Sequence, residues 1–142
     1  SIYLKGELNM ELKVKVDGVE MSIDDGEVTI SELGTSPYGF KFDENCPTWE
    51  KSREYNEIYL KLQQDYASSL LRYRGHLFLN EVYDMLGVPR RAIGQLVGWV
   101  YDENNPNGDN FVDLDIFNER NNNDENVFIL DPNVDGYILD KI

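Results

Sequence analysis

The stretch TWEKSREYNEIYLKLQQDYASSLLRYRG, residues 48–75, carries the clearest structural pattern in the chain. Its large apolar side chains recur at steps of three and four residues, which is the period of an α-helix with one apolar face. Those side chains are Trp49, Tyr55, Ile58, Tyr59, Leu62, Tyr66, Leu70 and Tyr73. Thr48 is suited to cap the start of the helix, and Gly75 is suited to end it. We therefore predict one long amphipathic helix of about 25 residues.

The residues before this helix are patterned as strands. LKVKV and VEMSI alternate in polarity on either side of Asp17-Gly18, which predicts a β-hairpin. Two further segments, EVTISEL and YGFKF, have the same alternation and are separated by turn residues. The four candidate strands are Leu12–Val16, Val19–Ile23, Glu27–Leu33 and Tyr38–Phe42. We predict an antiparallel β meander over residues 1–45.

The residues after Gly75 return to a β pattern through short helices. HLFLNEVYDMLGVP predicts a second helix that Asn80 caps and Gly87 ends, and RRAIGQL predicts one further helical turn. Residues 48–95 therefore form the predicted helical segment, and residues 98–142 form a C-terminal β segment. The strands predicted there are Gly98–Glu103, Phe111–Phe117, Val127–Leu130 and Tyr137–Leu139.

The order of these elements, strands then helices then strands, is typical of the α+β class. The length of 142 residues fits one domain. We predict a single α+β domain over residues 1–142, with antiparallel sheets, one long amphipathic helix and one or two short helices. The pattern leaves open whether the two groups of strands share one sheet or form two.

Charge and composition exclude several classes of protein. The formal net charge is −14, and residues 1–50 carry −7, residues 51–100 carry +2 and residues 101–142 carry −9. Direct nucleic-acid binding requires a basic surface, so we do not expect it. The single cysteine excludes an intrachain disulfide and indicates a reducing compartment. The sequence shows neither a signal peptide nor an apolar run of about 18 residues, so we expect no membrane span in this chain and no secretion by a visible signal.

Catalytic motifs are weak. His76 is the only histidine and Cys46 the only cysteine, and a thiolate nucleophile needs a base beside it. A boundary histidine and a small buried cysteine are the commoner roles for such residues. The sequence has no glycine-rich phosphate loop, no Cys-x-x-Cys and no Gly-x-Ser-x-Gly. We predict no catalytic residues, no bound cofactor and no enzymatic activity.

Three sets of polar residues allow two interpretations each. Asp113 and Asp115 lie on one face of a predicted strand, as a carboxylate pair or as its solvent side. Arg90 and Arg91 are either surface charges or partners of the acidic C-terminal third. The charged residues of the long helix form either a solvated face or a site, and we favour the solvated face; they are Glu54, Glu57, Lys61 and Asp65.

Five tyrosines cluster between residues 55 and 83: Tyr55, Tyr59, Tyr66, Tyr73 and Tyr83. We predict that most of them lie in the core with their hydroxyls at the surface. A groove that binds a partner is the alternative.

The C-terminal segment DPNVDGYILDKI, residues 131–142, begins like a calcium loop. Asp131, Asn133 and Asp135 stand at alternate positions and Gly136 follows, so their oxygens are spaced to surround a hard cation. Position 12 of such a loop is normally a glutamate, but here it is Ile142. The sequence therefore also predicts a plain turn between two strands, and the missing acid favours the turn.

The segment from YRGHLFLNEVYDMLGVP through GWVYDENNPNGDNFVDLDIFN to NVFILDPNVDG resembles an uncharacterised family of phage and prophage proteins, a domain of unknown function. The resemblance covers roughly residues 38–140. It implies a phage context, hence the host cytoplasm or the virion, and it transfers no catalytic residue. Some members carry an apolar segment before this domain, so a longer reading frame could carry an anchor.

These observations lead to three hypotheses. The first is a non-enzymatic phage or prophage accessory protein that acts by binding another protein. The second is a virion or membrane-associated structural component. The third, a narrower form of the first, is an inhibitor whose aligned carboxylates imitate nucleic acid and block a host defence protein. A small hydrolase or other enzyme that uses clustered carboxylates would instead need a pocket in which Asp113, Asp115 or another acid pair converges.

Overall fold

The computed structural model describes residues 15–16, 19–20 and 33–142 of the chain. The chain divides into two units, Ser1–Phe40 and Lys41–Ile142, and the single domain stays a prediction. The described strands are β1 (Lys15–Val16), β2 (Val19–Glu20), β3 (Phe40–Phe42), β4 (His76–Phe78), β5 (Val97–Val100), β6 (Phe128–Leu130) and β7 (Gly136–Tyr137). The described helices are α1 (Arg53–Arg74) and α2 (Leu79–Leu86), with short 3₁₀ turns at Ala92–Gln95, Glu119–Asn121 and Leu139–Lys141.

The described strands form small sheets, which confirms the predicted α+β class. β1 and β2 pair antiparallel, with Val16 opposite Val19, as the predicted hairpin requires. β3 pairs with β6, so a strand from before the helices meets one from after them. β4, β5 and β7 form an antiparallel sheet with β5 in the middle. The predicted strand Glu27–Leu33 lies outside the described residues except for Leu33.

The long helix is confirmed, although its start was predicted at the wrong residue. α1 begins after Ser52, whose hydroxyl accepts a hydrogen bond from the backbone N–H of Tyr55. Thr48 instead donates its hydroxyl to the carbonyl of Leu86 at 2.6 Å, so it joins the chain before α1 to the end of α2. Gly75 ends the helix as predicted, because its φ of 91° is a left-handed conformation that glycine adopts without strain.

The face of α1 that points into the protein is not the one that its largest apolar side chains predicted. The buried residues of the helix are Asn56, Leu60, Ala67 and Leu71. Two half-buried polar residues, Gln64 and Ser68, lie beside them on the same side of the helix. The inner face is therefore narrow and partly polar.

The reason lies in the segment Phe111–Phe117, which was wrongly predicted as a strand. Its burial alternates as expected, but the segment runs beside α1 and not within a sheet. Two of its backbone N–H groups donate to side chains of the helix: Ser68 Oγ accepts from Val112 and Gln64 Oε1 accepts from Leu114. An extended segment outside a sheet needs such partners, so polar residues occupy the inner face.

The second helix is confirmed, but its first residues were assigned wrongly. His76–Phe78 form strand β4, and α2 starts at Leu79, one residue before the predicted cap Asn80. Asn80 therefore lies inside the helix. Its side-chain oxygen accepts from the N–H of Arg91, and its amide donates to the carbonyl of the same residue. The helical turn predicted in RRAIGQL is present at Ala92–Gln95.

The C-terminal strands are shorter than predicted, and their connection is confirmed. β5 covers Val97–Val100, and β6 and β7 bracket the residues 131–135, so the DPNVD segment does connect two strands. β4 and β5 approach closely at Gly98, where a Cβ would lie 2.0 Å from the carbonyl oxygen of Leu77. The largest fully buried side chains are Trp99, Tyr83, Phe42, Phe128, Leu60, Leu71, Leu77, Leu79, Leu86, Leu114, Leu130 and Ile138.

Candidate interaction surface

The outward side of α1 carries a continuous row of exposed apolar side chains, which we call the outer stripe. Its members are Tyr55 (50% exposed), Ile58 (62%), Leu62 (60%), Tyr66 (57%) and Tyr73 (89%). At about 100° per residue they fall within about 80° of arc and extend about 27 Å along the helix. Scattered exposed apolar residues are ordinary, whereas a contiguous apolar patch marks an interaction site.

The outer stripe continues onto a neighbouring segment through Phe117, which is 66% exposed. Phe117 and one side of α1 form a shallow groove of about 180 Å³. The groove is lined by Glu57, Ile58, Lys61, Leu62 and Phe117. A side chain of a binding partner could enter this groove because its walls are mainly apolar.

Charged residues border the outer stripe, as the predicted solvated face requires. Arg53 pairs with Glu57 at 3.3 Å, and Lys61 pairs with Asp65 at 2.8 Å. Both pairs link residues four apart on the same helix, where they add a few tenths of a kcal/mol to helix stability. Arg53 also lies over the ring of Phe128, 4.5 Å from its centroid, which fastens the start of α1 to β6.

The tyrosine cluster was predicted to lie mostly in the core, and this is wrong for three of its members. Tyr55, Tyr66 and Tyr73 are exposed on the outer stripe. Tyr59 is half-buried and donates its hydroxyl to the carbonyl of Met85 at 2.7 Å. Tyr83 is fully buried. The periodicity that predicted a core face therefore located the surface that is least covered by the protein.

The candidate calcium residues hold together the C-terminal segments. The side-chain oxygen of Asn133 accepts from the indole N–H of Trp99 at 2.9 Å and from the backbone N–H of Asp113 at 2.7 Å. Its amide donates to the Asp109 carboxylate and to the Phe111 carbonyl. Both acceptor sites of the oxygen are therefore used. Coordination of a cation by Asn133 would require the release of one of these bonds, and the calcium site stays a prediction.

The other two residues of that set lie beside Asn133. Asp131 donates its backbone N–H to the carbonyl of Leu114. Asp135 Oδ2 accepts from the backbone N–H of Val100 at 2.9 Å, and its own N–H donates to the carbonyl of Gly98. Burial raises the pKa of the Asp135 carboxyl above its usual value, and the nearby Asp109 carboxylate adds to this. Asn133 and Asp135 therefore both contact β5, whereas Asp131 bonds to the segment Phe111–Phe117.

The carboxylates of Asp113 and Asp115 have separate partners. Asp113 Oδ1 accepts from the backbone N–H of Asp115, whose φ of 62° turns the chain at that point. Asp115 Oδ2 accepts from Arg120 at 2.6 Å and from Asn118 at 3.1 Å. These contacts shape the loop before β6.

The remaining candidate residues have structural contacts. Cys46 is buried, burial raises the pKa of its thiol, and the sulfur donates to the carbonyl of Lys41. A raised pKa disfavours the thiolate that a nucleophile requires. His76 packs edge-on against Phe78. Neither contact joins the thiol of Cys46 to the imidazole of His76.

Of the two interpretations of Arg90, the structure supports a surface charge, because its side chain is 67% exposed and bonds within the helical segment. Arg90 forms two hydrogen bonds with the carboxylate of Asp84 in α2, at 3.0 and 2.7 Å. Arg91 donates to the hydroxyl of Tyr83, also in α2. Both arginines thus contact the helix that precedes them in the chain.

The described residues contain neither a membrane-spanning helix nor a cluster of metal-binding side chains. No helix there is long and apolar enough to cross a membrane. Residues 33–142 and the described parts of the hairpin also hold no group of three or more His, Cys, Asp or Glu side chains placed to bind a metal ion.

The comparisons with known proteins support the expectation of a family of unknown function, and the phage origin stays a prediction. Neither a curated protein nor a solved structure matches the chain. A family of unknown function, DUF6353, matches residues 7–142. Because that match covers nearly the whole sequence, the chain belongs to the DUF6353 family.

Proposed function

We propose that this chain is a non-enzymatic phage or prophage accessory protein that acts by binding another protein through the outer stripe of α1. The exposure of five large apolar side chains in one row is the observation that supports this function. Keeping them in water costs free energy of about 25 cal/mol for each Å² of apolar surface, which a bound partner would recover. The resemblance noted in the sequence supports the phage context, in the host cytoplasm or in the virion.

The groove beside Phe117 supports the same proposal. Interfaces obtain most of their binding energy from a few large side chains that enter pockets and are surrounded by polar residues. Tyrosine is among the residues most enriched at such positions, and the outer stripe contains three tyrosines. The charged residues at its border would supply the polar rim.

The experiment is a pull-down with the tagged chain from host lysate and from phage particles at moderate salt. Two substitutions place a glutamate at an exposed leucine: Leu62→Glu in the outer stripe and Leu139→Glu, the control, in the C-terminal turn. We expect the wild type and Leu139→Glu to retain the same partner and Leu62→Glu to lose it. Equal retention by both variants, or no captured protein of any kind, with an untagged copy of the chain counted as a partner, would contradict the proposal.

The two other hypotheses stay predictions. A structural component of the virion or membrane would be favoured by an apolar anchor in a longer reading frame. A nucleic-acid mimic needs unpaired acids aligned on one face, and six described acids do not contribute to such a face because each forms an ion pair. These acids are Glu57, Asp65, Glu81, Asp84, Asp115 and Asp140, paired with Arg53, Lys61, Arg74, Arg90, Arg120 and Lys141.

A further inference from the structure

We propose that the outer stripe binds a second copy of this chain, with the two α1 helices packed antiparallel around a two-fold axis. This inference rests on the proposed function, because it identifies the protein that covers the stripe. The argument depends on the charged residues along one side of the stripe, which we call the charged flank.

The charged flank consists of Glu54, Lys61, Asp65 and Arg72, all exposed. At about 100° per residue, these four side chains lie within about 40° of one another, beside Ile58 and Leu62. Their charges alternate along the helix as negative, positive, negative, positive. Positions 54 and 72, and positions 61 and 65, are placed symmetrically about residue 63.

That symmetry matches an antiparallel pair of helices. A two-fold axis beside residue 63 places Glu54 of one copy opposite Arg72 of the other and Lys61 opposite Asp65. The same flank of each helix faces its counterpart, because the interface of a two-fold dimer is self-complementary. Parallel pairing in register would instead place the charged flank of each helix beside the opposite side of the partner's stripe, so that the four flank charges could not pair with one another.

The apolar residues fit the same arrangement. Leu62 lies one residue from the proposed axis, so the two copies of Leu62 meet at the centre of the interface. Tyr55 and Tyr73 lie near its two ends, and Tyr73 is 89% exposed. The groove beside Phe117 opens next to the axis and can accept a side chain from the second helix. Antiparallel helices also bring opposite ends of their dipoles together.

Charges on the flank are available for this pairing. Within the described residues, Glu54 and Arg72 form no ion pair. Lys61 and Asp65 bond to each other on the same helix, but they are 47% and 58% exposed, so each can contact a second copy as well. The interface would combine an apolar centre with a rim of complementary charges, which is the usual composition.

The test is sedimentation equilibrium of the full chain over a wide concentration range. We expect a monomer–dimer equilibrium in the wild type. Leu62→Glu should raise the dissociation constant at least about 30-fold, because it places two carboxylates at the apolar centre. Circular dichroism of each variant establishes that the monomer is folded.

Charge exchange tests the orientation of the helices. Glu54→Arg alone and Arg72→Glu alone should each weaken the dimer about 5- to 30-fold, because each creates two like-charge contacts. The double variant Glu54→Arg/Arg72→Glu should return to within about 2-fold of the wild type, since both opposite-charge contacts are restored. Glu103→Arg, an equal charge change at an exposed residue outside α1, is the control and should leave the dissociation constant unchanged.

A wild-type chain that remains monomeric at about millimolar concentration would overturn the inference. A dimer whose single charge variants behave like the wild type, or whose double variant is weaker than both, would also overturn it. If the chain is monomeric but Leu62→Glu still loses a captured partner, the proposed function stands and the occupant is a different protein. If Leu62→Glu changes neither the dissociation constant of the dimer nor the retention of a captured partner, both proposals fail.

Discussion

The two faces of α1 differ in burial in a way that their largest apolar side chains do not predict, because most of those side chains lie on the exposed face. The outer face carries Tyr55, Ile58, Leu62 and Tyr66 in water, whereas the inner face includes Asn56, which is fully buried. The inner side chains supply hydrogen bonds to backbone that is not paired in a sheet. The comparison shows that hydrogen-bond requirements of neighbouring segments, as well as apolar content, decide which face of this helix is buried.

Two neighbouring leucines give the largest contrast between the faces. Leu60 is fully buried and Leu62 is 60% exposed. Leu60→Ala should lower the free energy of unfolding by about 2–5 kcal/mol, because it leaves a cavity in the core. Leu62→Ala should change it by less than about 0.5 kcal/mol. Urea denaturation at low protein concentration measures both, and equal losses would show that the faces are assigned wrongly.

A second contrast exchanges polar and apolar side chains between the faces. The side-chain oxygen of Asn56 accepts from the backbone N–H of Glu50. Its amide donates to the backbone carbonyl of Glu50 and to the side-chain oxygen of Asn126. Asn56→Leu should therefore cost about 1–3 kcal/mol although it adds an apolar group, because the backbone N–H of Glu50 loses its acceptor and the side-chain oxygen of Asn126 loses a donor. Ile58→Asn on the outer face should cost less than about 1 kcal/mol.

Thermal unfolding of this pair of variants, compared with the wild type, provides the measurement. An Asn56→Leu protein as stable as the wild type would mean that the inner face accepts apolar residues. The hydrogen-bond explanation of the helix orientation would then be wrong.

The contacts between α1 and the segment Phe111–Phe117 should show a smaller effect. Ser68→Ala removes the hydroxyl that bonds the N–H and the carbonyl of Val112. We expect a loss of about 1 kcal/mol, and a similar loss for Gln64→Leu, which leaves the N–H of Leu114 without its acceptor. Hydrogen exchange should become faster at Val112 in the first variant and at Leu114 in the second. Unchanged exchange at both amides would contradict the assigned contacts.

The smallest expected effect is a pH dependence of the stability that arises from the half-buried carboxyl group of Asp135. Burial raises the pKa of this carboxyl in the folded chain. The folded chain therefore keeps the proton to higher pH than the unfolded chain does. As a result, the free energy of unfolding falls as the pH rises from the ordinary pKa of about 4 through the raised pKa of the folded chain. Asp135→Asn keeps an oxygen that can accept from Val100 and removes the charge.

The stability of Asp135→Asn relative to the wild type should therefore increase as the pH rises from about 3 to 7. Denaturant titrations at a series of pH values measure this difference. A difference that is constant with pH, or that falls, would show that the charge of Asp135 does not destabilise the folded chain.

Local signals in the sequence predicted much of the fold. The hairpin around Asp17-Gly18, the end of α1 at Gly75 and the short strand before residue 131 follow from turn residues and apolar runs, and the structure confirms them. The alternation in FVDLDIF predicted the buried residues of that segment correctly. It could not predict that the segment lies along a helix, because that depends on Gln64 and Ser68 forty and more residues earlier.

The candidate surface could not be assigned from the sequence for a related reason. A helix with an apolar stripe normally buries that stripe, and nothing local to residues 53–74 shows that the opposite side carries the hydrogen bonds. Asn133 is a similar case. Its spacing with Asp131 and Asp135 suggested a cation, while its contacts with Trp99 and Asp113 arise only when three distant segments meet.

The central claim, that the outer stripe is the surface that contacts other protein molecules, is tested most directly by site-specific photo-crosslinking. A photoreactive phenylalanine analogue replaces Tyr66 in the stripe or Tyr137 in β7, which are 57% and 51% exposed. Full-length chains carrying either analogue are irradiated in the producing cells, and adducts are identified by mass. We predict a discrete protein adduct, either a second copy or another protein, at position 66 and none at position 137. Equal adduct formation at both positions, or none at position 66, would contradict the claim.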